Sequence, residues 1–395
     1  MSNTQALRNL IIPIYLPSIF LAIGSGAALF IIPLISLELG ATISSAGLIF
    51  SLRGLGMLIS GIPIGLLIAK LGSKTAMLLG TALICIAAII ASQAQQQSGI
   101  ALASLLMGAG SGCWILARIH FVSLATSISH RGRAMATMMA IERVGWLIGP
   151  LLAGLIIKFF DHHKAFLLVA GMGFISLLLI ALTKHTQRGN EVDDSQFKRL
   201  STWRLLFNYK DIFIGAGSVV IVLQLLRSAR SFIIPIWGVA IGIDELAIAS
   251  VTFFCSLADL AMFYPAGWLL DKKSRKAAAI PCLAIFSCSF LLLPLATSYS
   301  YFLWIAILSG LGNGLGTGFI MTLGADFAPQ RQKAQFLGLW RTIGDGGNLS
   351  GPVIIGALAE ALSLSSATLV VGSLGLAGLL ILIYKVPEPI KKSLS

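Results

Sequence analysis

A proline and glycine pattern that a helix in water tolerates poorly occurs twice in this chain. Gly145-Trp-Leu-Ile-Gly149-Pro150-Leu-Leu-Ala-Gly154 recurs as Gly347-Asn-Leu-Ser-Gly351-Pro352-Val-Ile-Ile-Gly356, with Pro150 and Pro352 202 residues apart. Inside a soluble helix a proline costs about 3 kcal/mol and a glycine about 1 kcal/mol. In a membrane both are admissible, because neighbouring helices re-satisfy the freed carbonyls and glycine lets two backbones approach closely. The same offset holds elsewhere without a gap. Phe30-Ile-Ile-Pro33 returns as Phe232-Ile-Ile-Pro235, and Gly108, Gly110 and Gly112 return as Gly310, Gly312 and Gly314. Pro63, Gly65, Leu67, Lys70 and Lys74 return as Pro265, Gly267, Leu269, Lys272 and Lys276. A fixed period over separate segments is the trace of a duplicated half.

The halves are built for lipid. Of 395 residues, 57% are hydrophobic and only 11% charged, where a soluble domain carries roughly a quarter charged. The net charge of +13 does not point to nucleic acid, because the basic residues punctuate apolar runs instead of forming a solvated patch. The cysteines Cys85, Cys113, Cys255, Cys282 and Cys288 lie within apolar runs, without metal-type spacing. Arg8 precedes an apolar run from Leu10 to Leu37, too long for the core of a cleaved signal, so it reads as a retained first span.

A helix needs about twenty apolar residues to cross a core about 30 Å thick. Counting such runs predicts spans near 10–37, 44–70, 75–93, 99–128, 134–160 and 165–183, then 211–240, 246–271, 276–297, 299–327, 333–360 and 365–385. The expected fold is an all-α membrane protein of twelve transmembrane helices in two pseudo-symmetric six-helix halves. Residues 1–183 form the first half, 184–210 a cytoplasmic linker, and 211–395 the second half with a short tail. The stretch from Phe197 to Tyr209 is expected to lie as an amphipathic helix on the membrane face. The termini and even-numbered loops hold 20 of the 28 Lys and Arg residues, while the odd-numbered loops hold only Lys158 and Lys164. This asymmetry predicts a cell (inner) membrane protein with both termini and the linker in the cytoplasm.

The loop after span 8, Gly267-Trp-Leu-Leu-Asp271-Lys-Lys-Ser-Arg275-Lys276, resembles the signature loop of the major facilitator superfamily. The two halves and the longer central loop fit that family over essentially the whole chain. The resemblance implies that the loop acts as a cytoplasmic gate latch, its aspartate meeting a helix N-terminus from the other half. The first-half copy has Gly65, Lys70, Gly72 and Lys74, but Ala69 stands where the family has the acid, leaving Asp271 alone in that role. The run Gly145 to Gly154 is similar to the family's fifth-span motif, which implies antiport, although small-residue helix packing explains it nearly as well.

Charges inside spans are expensive and should face partners or a watery cavity. Arg53, Arg118, Glu142, Arg143, Arg227, Arg230, Asp259, Arg341 and Asp345 are such residues and form the expected substrate and ion pathway. Arg118 and Glu142 each lie twelve residues from His130, at matching depth in a hairpin of spans 4 and 5. Arg341 and Asp345 are spaced i,i+4, and Arg227 and Arg230 share a helix face. These pairs are either structural ion pairs or include a proton carrier, with Glu142 the first choice and Asp259 and Asp345 next. Asp326 reads as a gate or cap residue, and His120 as a hydrogen-bonded packing histidine. The Asp161-His162-His163-Lys164 cluster is not expected to hold a metal.

The expectation is a secondary transporter that moves a small organic solute by alternating access, as proton-coupled efflux of a drug or metabolite. The alternative is uptake or exchange of a carboxylate-type anion, since six arginines within the spans face only three acids. A non-transporting sensor is more remote. A membrane enzyme is more remote too, because no HExxH or GxSxG motif is present. No cofactor, metal or nucleic acid is expected; the partners are the solute, protons and the bilayer, and the functional unit is a monomer.

Overall fold

The computed structural model describes residues 10–126, 128–183, 202–329 and 332–388, and the described residues contain no strand. Five long helices make up the first part: α1 (Leu16–Glu38, preceded by a π-turn at Ile11–Tyr15), α2 (Ile43–Gln93), α3 (Gln97–Ala125), α4 (Ile128–Phe159) and α5 (His162–Leu182). A short α6 (Thr202–Asn208) leads into α7 (Lys210–Ala240) and α8 (Glu245–Ala261). Then come α9 (Phe263–Trp268), a π-turn at Leu269–Lys273, α10 (Arg275–Leu292), α11 (Tyr299–Leu315), α12 (Phe319–Phe327), α13 (Lys333–Ala361) and α14 (Leu364–Tyr384).

Eleven segments of the described residues are long and apolar enough to cross a membrane. The helix α13 is long enough, with 29 residues, but carries Arg341, Asp345 and Asn348 and is not among the eleven. It completes the twelve spans expected from the sequence. The amphipathic helix expected from Phe197 is seen only as α6, since 184–201 lie outside the described residues.

Four spans differ in continuity from the sequence reading. Spans 2 and 3 are one run, α2, broken in dihedral terms only at Gly72, where φ is +82° and ψ is 163°. That conformation is open essentially to glycine alone. At the matching place in the second half Ser274 takes an extended φ of −157° instead, and its Oγ caps α10 by accepting from the Ala277 N–H. Span 8 is interrupted at Met262, between α8 and α9. Span 10 is interrupted between α11 and α12, where Gly316 ends one helix and Gly318, at φ +78°, precedes the next.

The chain divides into two compact units, Met1–Glu191 with Ile234–Phe253, and Val192–Ile233 with Phe254–Ser395. Within each, glycine sets the helix spacing, and the contacts repeat at the sequence offset. A Cβ on Gly108 would strike the carbonyl of Arg53, and one on Gly310 the carbonyl of Cys255, 202 residues on. A Cβ on Gly110 would come 2.8 Å from the Ile84 side chain, and one on Gly312 would come 2.6 Å from the Phe286 nitrogen. Gly149 abuts the Ile23 carbonyl in the first unit as Gly351 abuts that of Leu225 in the second. Gly145 and Gly347 make the equivalent approach to Ile19 and Ile221, and Gly154 packs under the Ala249 methyl. Pro150, Pro352 and Gly356 are buried within α4 and α13, which run through both prolines. The motif is therefore a packing surface in both copies, as close backbone approach requires.

Candidate functional site

The second unit holds a connected polar network among apolar helices. Arg227 on α7 donates from Nε to Asn313 Oδ1 at 2.8 Å, from Nη1 to Gln224 Oε1 at 3.1 Å, and from Nη2 to the Gly316 carbonyl at 3.0 Å. Asn313 on α11 in turn donates from Nδ2 to Asp259 Oδ2 at 2.8 Å. Arg230, one turn beyond Arg227, reaches the same Asp259 oxygen from Nη2 at 3.8 Å. Its Nη1 donates to Cys255 Sγ at 3.5 Å, and its guanidinium lies 5.7 Å from the centre of the Phe286 ring, within cation–π range. Arg230 thus faces the Asp259 carboxylate directly and Arg227 reaches it through a neutral amide, so these contacts link two guanidinium groups to one acid.

The break in span 10 is part of this network. A helix end leaves carbonyls without intrahelical donors, and in an apolar setting each needs a partner. Arg227 supplies one at Gly316. A side chain added at Gly316 would meet Cys282 Sγ at 2.6 Å and Arg227 Nη2 at 3.2 Å, so the close fit requires glycine there. The structure joins Arg227, Arg230 and Asp259, which the sequence reading expects in the pathway, to Gln224, Asn313 and Gly316, which it does not single out. Asn313, a lone amide inside the Gly310 to Gly314 run, is the signal that a reading limited to charged residues passes over.

The first unit holds a different arrangement. Arg118 Nη1 lies 2.6 Å from Glu142 Oε1, with the side chains 5% and 20% exposed. Nη1 has no aligned hydrogen-bond acceptor, so the contact is an ion pair held by charge and proximity. The Trp114 ring covers the same guanidinium at 5.7 Å. The equal spacing about His130 does bring the two residues together. Arg143 is half-buried on the same helix. Arg341 and Asp345 on α13 lie 3.8 Å apart, with Arg341 half exposed.

The gate-loop residues separate into exposed and anchored groups. Gly65, Lys70 and Asp271 are exposed, and Gly267 half-buried. Arg275 instead is pinned, donating from Nε to Asp326 Oδ2 at 2.8 Å and from Nη1 to the Leu270 carbonyl at 2.6 Å. Asp326 therefore serves as the partner of the loop's arginine. Lys74 and Lys276 both donate to carbonyls at the ends of later helices, Ala181 and Ile383. His120 pairs with Ser73 Oγ through Nδ1 at 2.5 Å, consistent with packing. His162 Nδ1 lies 2.6 Å from Glu38 Oε2, and the described residues hold no cluster of metal-ligating side chains. The Asp161 carboxylate lies outside the spans. Its pKa is lowered, chiefly because it accepts from the Lys164 N–H at the start of α5.

Long apolar helices, glycine-mediated packing repeated at one offset and charged networks within the spans define a multi-pass helical membrane protein of transporter architecture. The family model described as Major Facilitator Superfamily matches residues 14–345 and 216–395, the two matches starting 202 residues apart. The chain belongs to the major facilitator superfamily. It is similar to the putative niacin/nicotinamide transporter NiaP of Bacillus subtilis (strain 168), at 22% identity over 86% of each chain. A probable 4-methylmuconolactone transporter of Cupriavidus pinatubonensis is 23% identical, over 86% of this chain and 80% of its own. The quinolone resistance protein NorA of Staphylococcus aureus is 27% identical over 48% of this chain and 46% of its own. Among solved structures, a POT family transporter in complex with a thioalcohol-conjugated peptide superposes with a TM-score of 0.80 at 15% identity, covering 95% of both chains. A bacterial homolog of the human lysosomal transporter Spinster gives 0.74 at 12% identity, covering 96% of this chain and 95% of its own. These relatives are transporters, and the chain is a membrane transporter of small solutes, not an enzyme.

Proposed function

We propose that the protein is a secondary transporter that exports a small organic solute bearing an anionic group, by alternating access and in exchange for protons. The observation that supports the solute class best is the linked set Gln224, Arg227, Asn313, Asp259 and Arg230, whose two cations share one acid. An anion entering this site relieves the imbalance, and guanidinium forks match carboxylate geometry. Broken helices such as the one ending at Gly316 are where transporters of this architecture commonly place solute contacts. Glu142, which exchanges its Arg118 partner for a proton, is the leading proton carrier, with Asp259 and Asp345 as the others. Asp271 latches the cytoplasmic gate. The duplicated halves, 1–183 and 211–395, rock about the linker 184–210, both termini face the cytoplasm of a cell membrane, and the monomer is the functional unit.

Export is supported by the fifth-span motif and by the likeness to a drug-resistance protein. Uptake or exchange of an organic anion is the second reading, favoured by the arginine surplus and by the two metabolite transporters among the relatives. Binding competition on purified protein tests the solute class. Carboxylates are expected to compete and lipophilic cations to fail, and Arg227→Gln or Arg230→Gln should weaken carboxylate binding by about tenfold or more. Competition by cations alone, unchanged in both variants, removes the anionic reading.

A further inference from the structure

The pseudo-symmetry of the two units exposes an uncompensated cation. In the second unit Arg230 projects from α7 to Cys255 on α8, and Asp259, one turn beyond Cys255, supplies its counter-charge. Moving back by 202 residues, Arg230 corresponds to Ala28, Cys255 to Arg53, Asp259 to Met57 and Phe286 to Ile84. The scaffold contact is preserved, since Gly108 abuts the Arg53 carbonyl as Gly310 abuts that of Cys255. The first unit therefore places its arginine at the same level of the scaffold, but from the second span instead of the first. It does so with methionine where the acid stands in the other unit.

Arg53 begins no hydrogen bond and no ion pair among the described residues, and its Nε is buried without an acceptor. It lies ten residues into α2, about 15 Å along the helix and so near the middle of a core about 30 Å thick. Arg53 as a whole is half-buried, and the fully buried cation of this unit, Arg118, already has Glu142. A guanidinium at that depth requires an anion or water, and the described residues provide no anion.

We infer that Arg53 is a solute-binding residue that takes a carboxylate or a similar planar oxyanion of the transported molecule. This rests on the anionic reading above and concerns the first unit by itself. The bidentate fork, not charge alone, is what the site uses.

The test is thermal unfolding of purified full-length protein with benzoate, succinate, lactate and inorganic phosphate, and with benzamide as the neutral control. At least one anion should raise the Tm of the wild type, and Arg53→Gln should lose that shift, with an apparent Kd at least about tenfold weaker. Arg53→Lys should recover only part of it. Without ligand, Arg53→Gln should unfold at or above the wild-type temperature, because it removes an unpaired charge, whereas Arg118→Gln should unfold lower by stranding Glu142. An anion response in Arg53→Gln equal to that of wild type overturns the inference, as does a ligand-free Tm lowered to the level of Arg118→Gln. If no anion shifts the wild type, the anionic reading itself fails.

Discussion

Lys276 Nζ donates to the carbonyl of Ile383 at 2.9 Å, joining the start of α10 to the end of α14. The first unit repeats the contact at the same spacing, with Lys74 Nζ donating to the Ala181 carbonyl at 3.0 Å. Lys74 also reaches the Thr183 carbonyl at 2.5 Å. Each lysine satisfies carbonyls that a helix terminus leaves open, and a cation there is favoured by the helix dipole. These lysines are thus structural anchors at helix ends in both units.

Removing either anchor should destabilise modestly. Lys74→Met and Lys276→Met are each expected to cost about 0.5–1.5 kcal/mol, the net value of one hydrogen bond. Because the two contacts share no partner, the double variant should show the sum. Thermal unfolding in detergent checks this; unchanged Tm values in both single variants would show that the contacts contribute nothing.

The ion pair of Arg118 and Glu142 gives a sharper separation. Glu142→Gln keeps the shape of the side chain but removes its titrating proton. It is expected to abolish flux driven by a pH gradient while leaving exchange of solute for solute. If Glu142 is only the structural partner of Arg118, the variant should instead lose about 3–5 kcal/mol of stability and both activities together. Measuring gradient-driven flux, exchange and unfolding on the same preparation distinguishes the two.

Much of this architecture is legible in the sequence, and for physical reasons. A duplicated membrane half must keep its glycines where backbones touch, so the 202-residue period pairs Gly108 with Gly310, and the structure sets them against the Arg53 and Cys255 carbonyls, themselves 202 residues apart. The equal distances of Arg118 and Glu142 from His130 likewise fix their depth, and the structure brings them to 2.6 Å. What was not legible depends on local alternatives that composition does not resolve. The Gly310 to Gly318 run reads equally as packing surface and as helix break, and the break at Gly316 to Gly318 is settled by a carbonyl that Arg227 reaches across from α7. The choice of Asp326 over Asp271 as the hydrogen-bonded carboxylate of Arg275 joins residues 51 apart in the chain, beyond any periodicity.

Orientation follows from the basic residues and has its own test. Ser195, in the linker and outside the described residues, is predicted to be cytoplasmic. In a background with the exposed Cys288 replaced by serine, Ser195→Cys should resist a membrane-impermeant maleimide in intact cells and react after permeabilisation. Labelling of intact cells at the permeabilised rate would invert the topology.

The most direct measurement of the central claim is solute flux in proteoliposomes with and without an imposed pH gradient, for wild type and Arg230→Gln. Carboxylates that compete for binding to the purified protein serve as the labelled solutes. The account predicts that wild type accumulates such an anion against its gradient when the proton gradient is applied, and that collapsing the gradient ends accumulation. Arg230→Gln, which leaves Asp259 with Asn313 but removes one of the two cations sharing it, should transport at least about tenfold more slowly. Carriage of lipophilic cations but of no anion, at equal rates in wild type and Arg230→Gln, would contradict it.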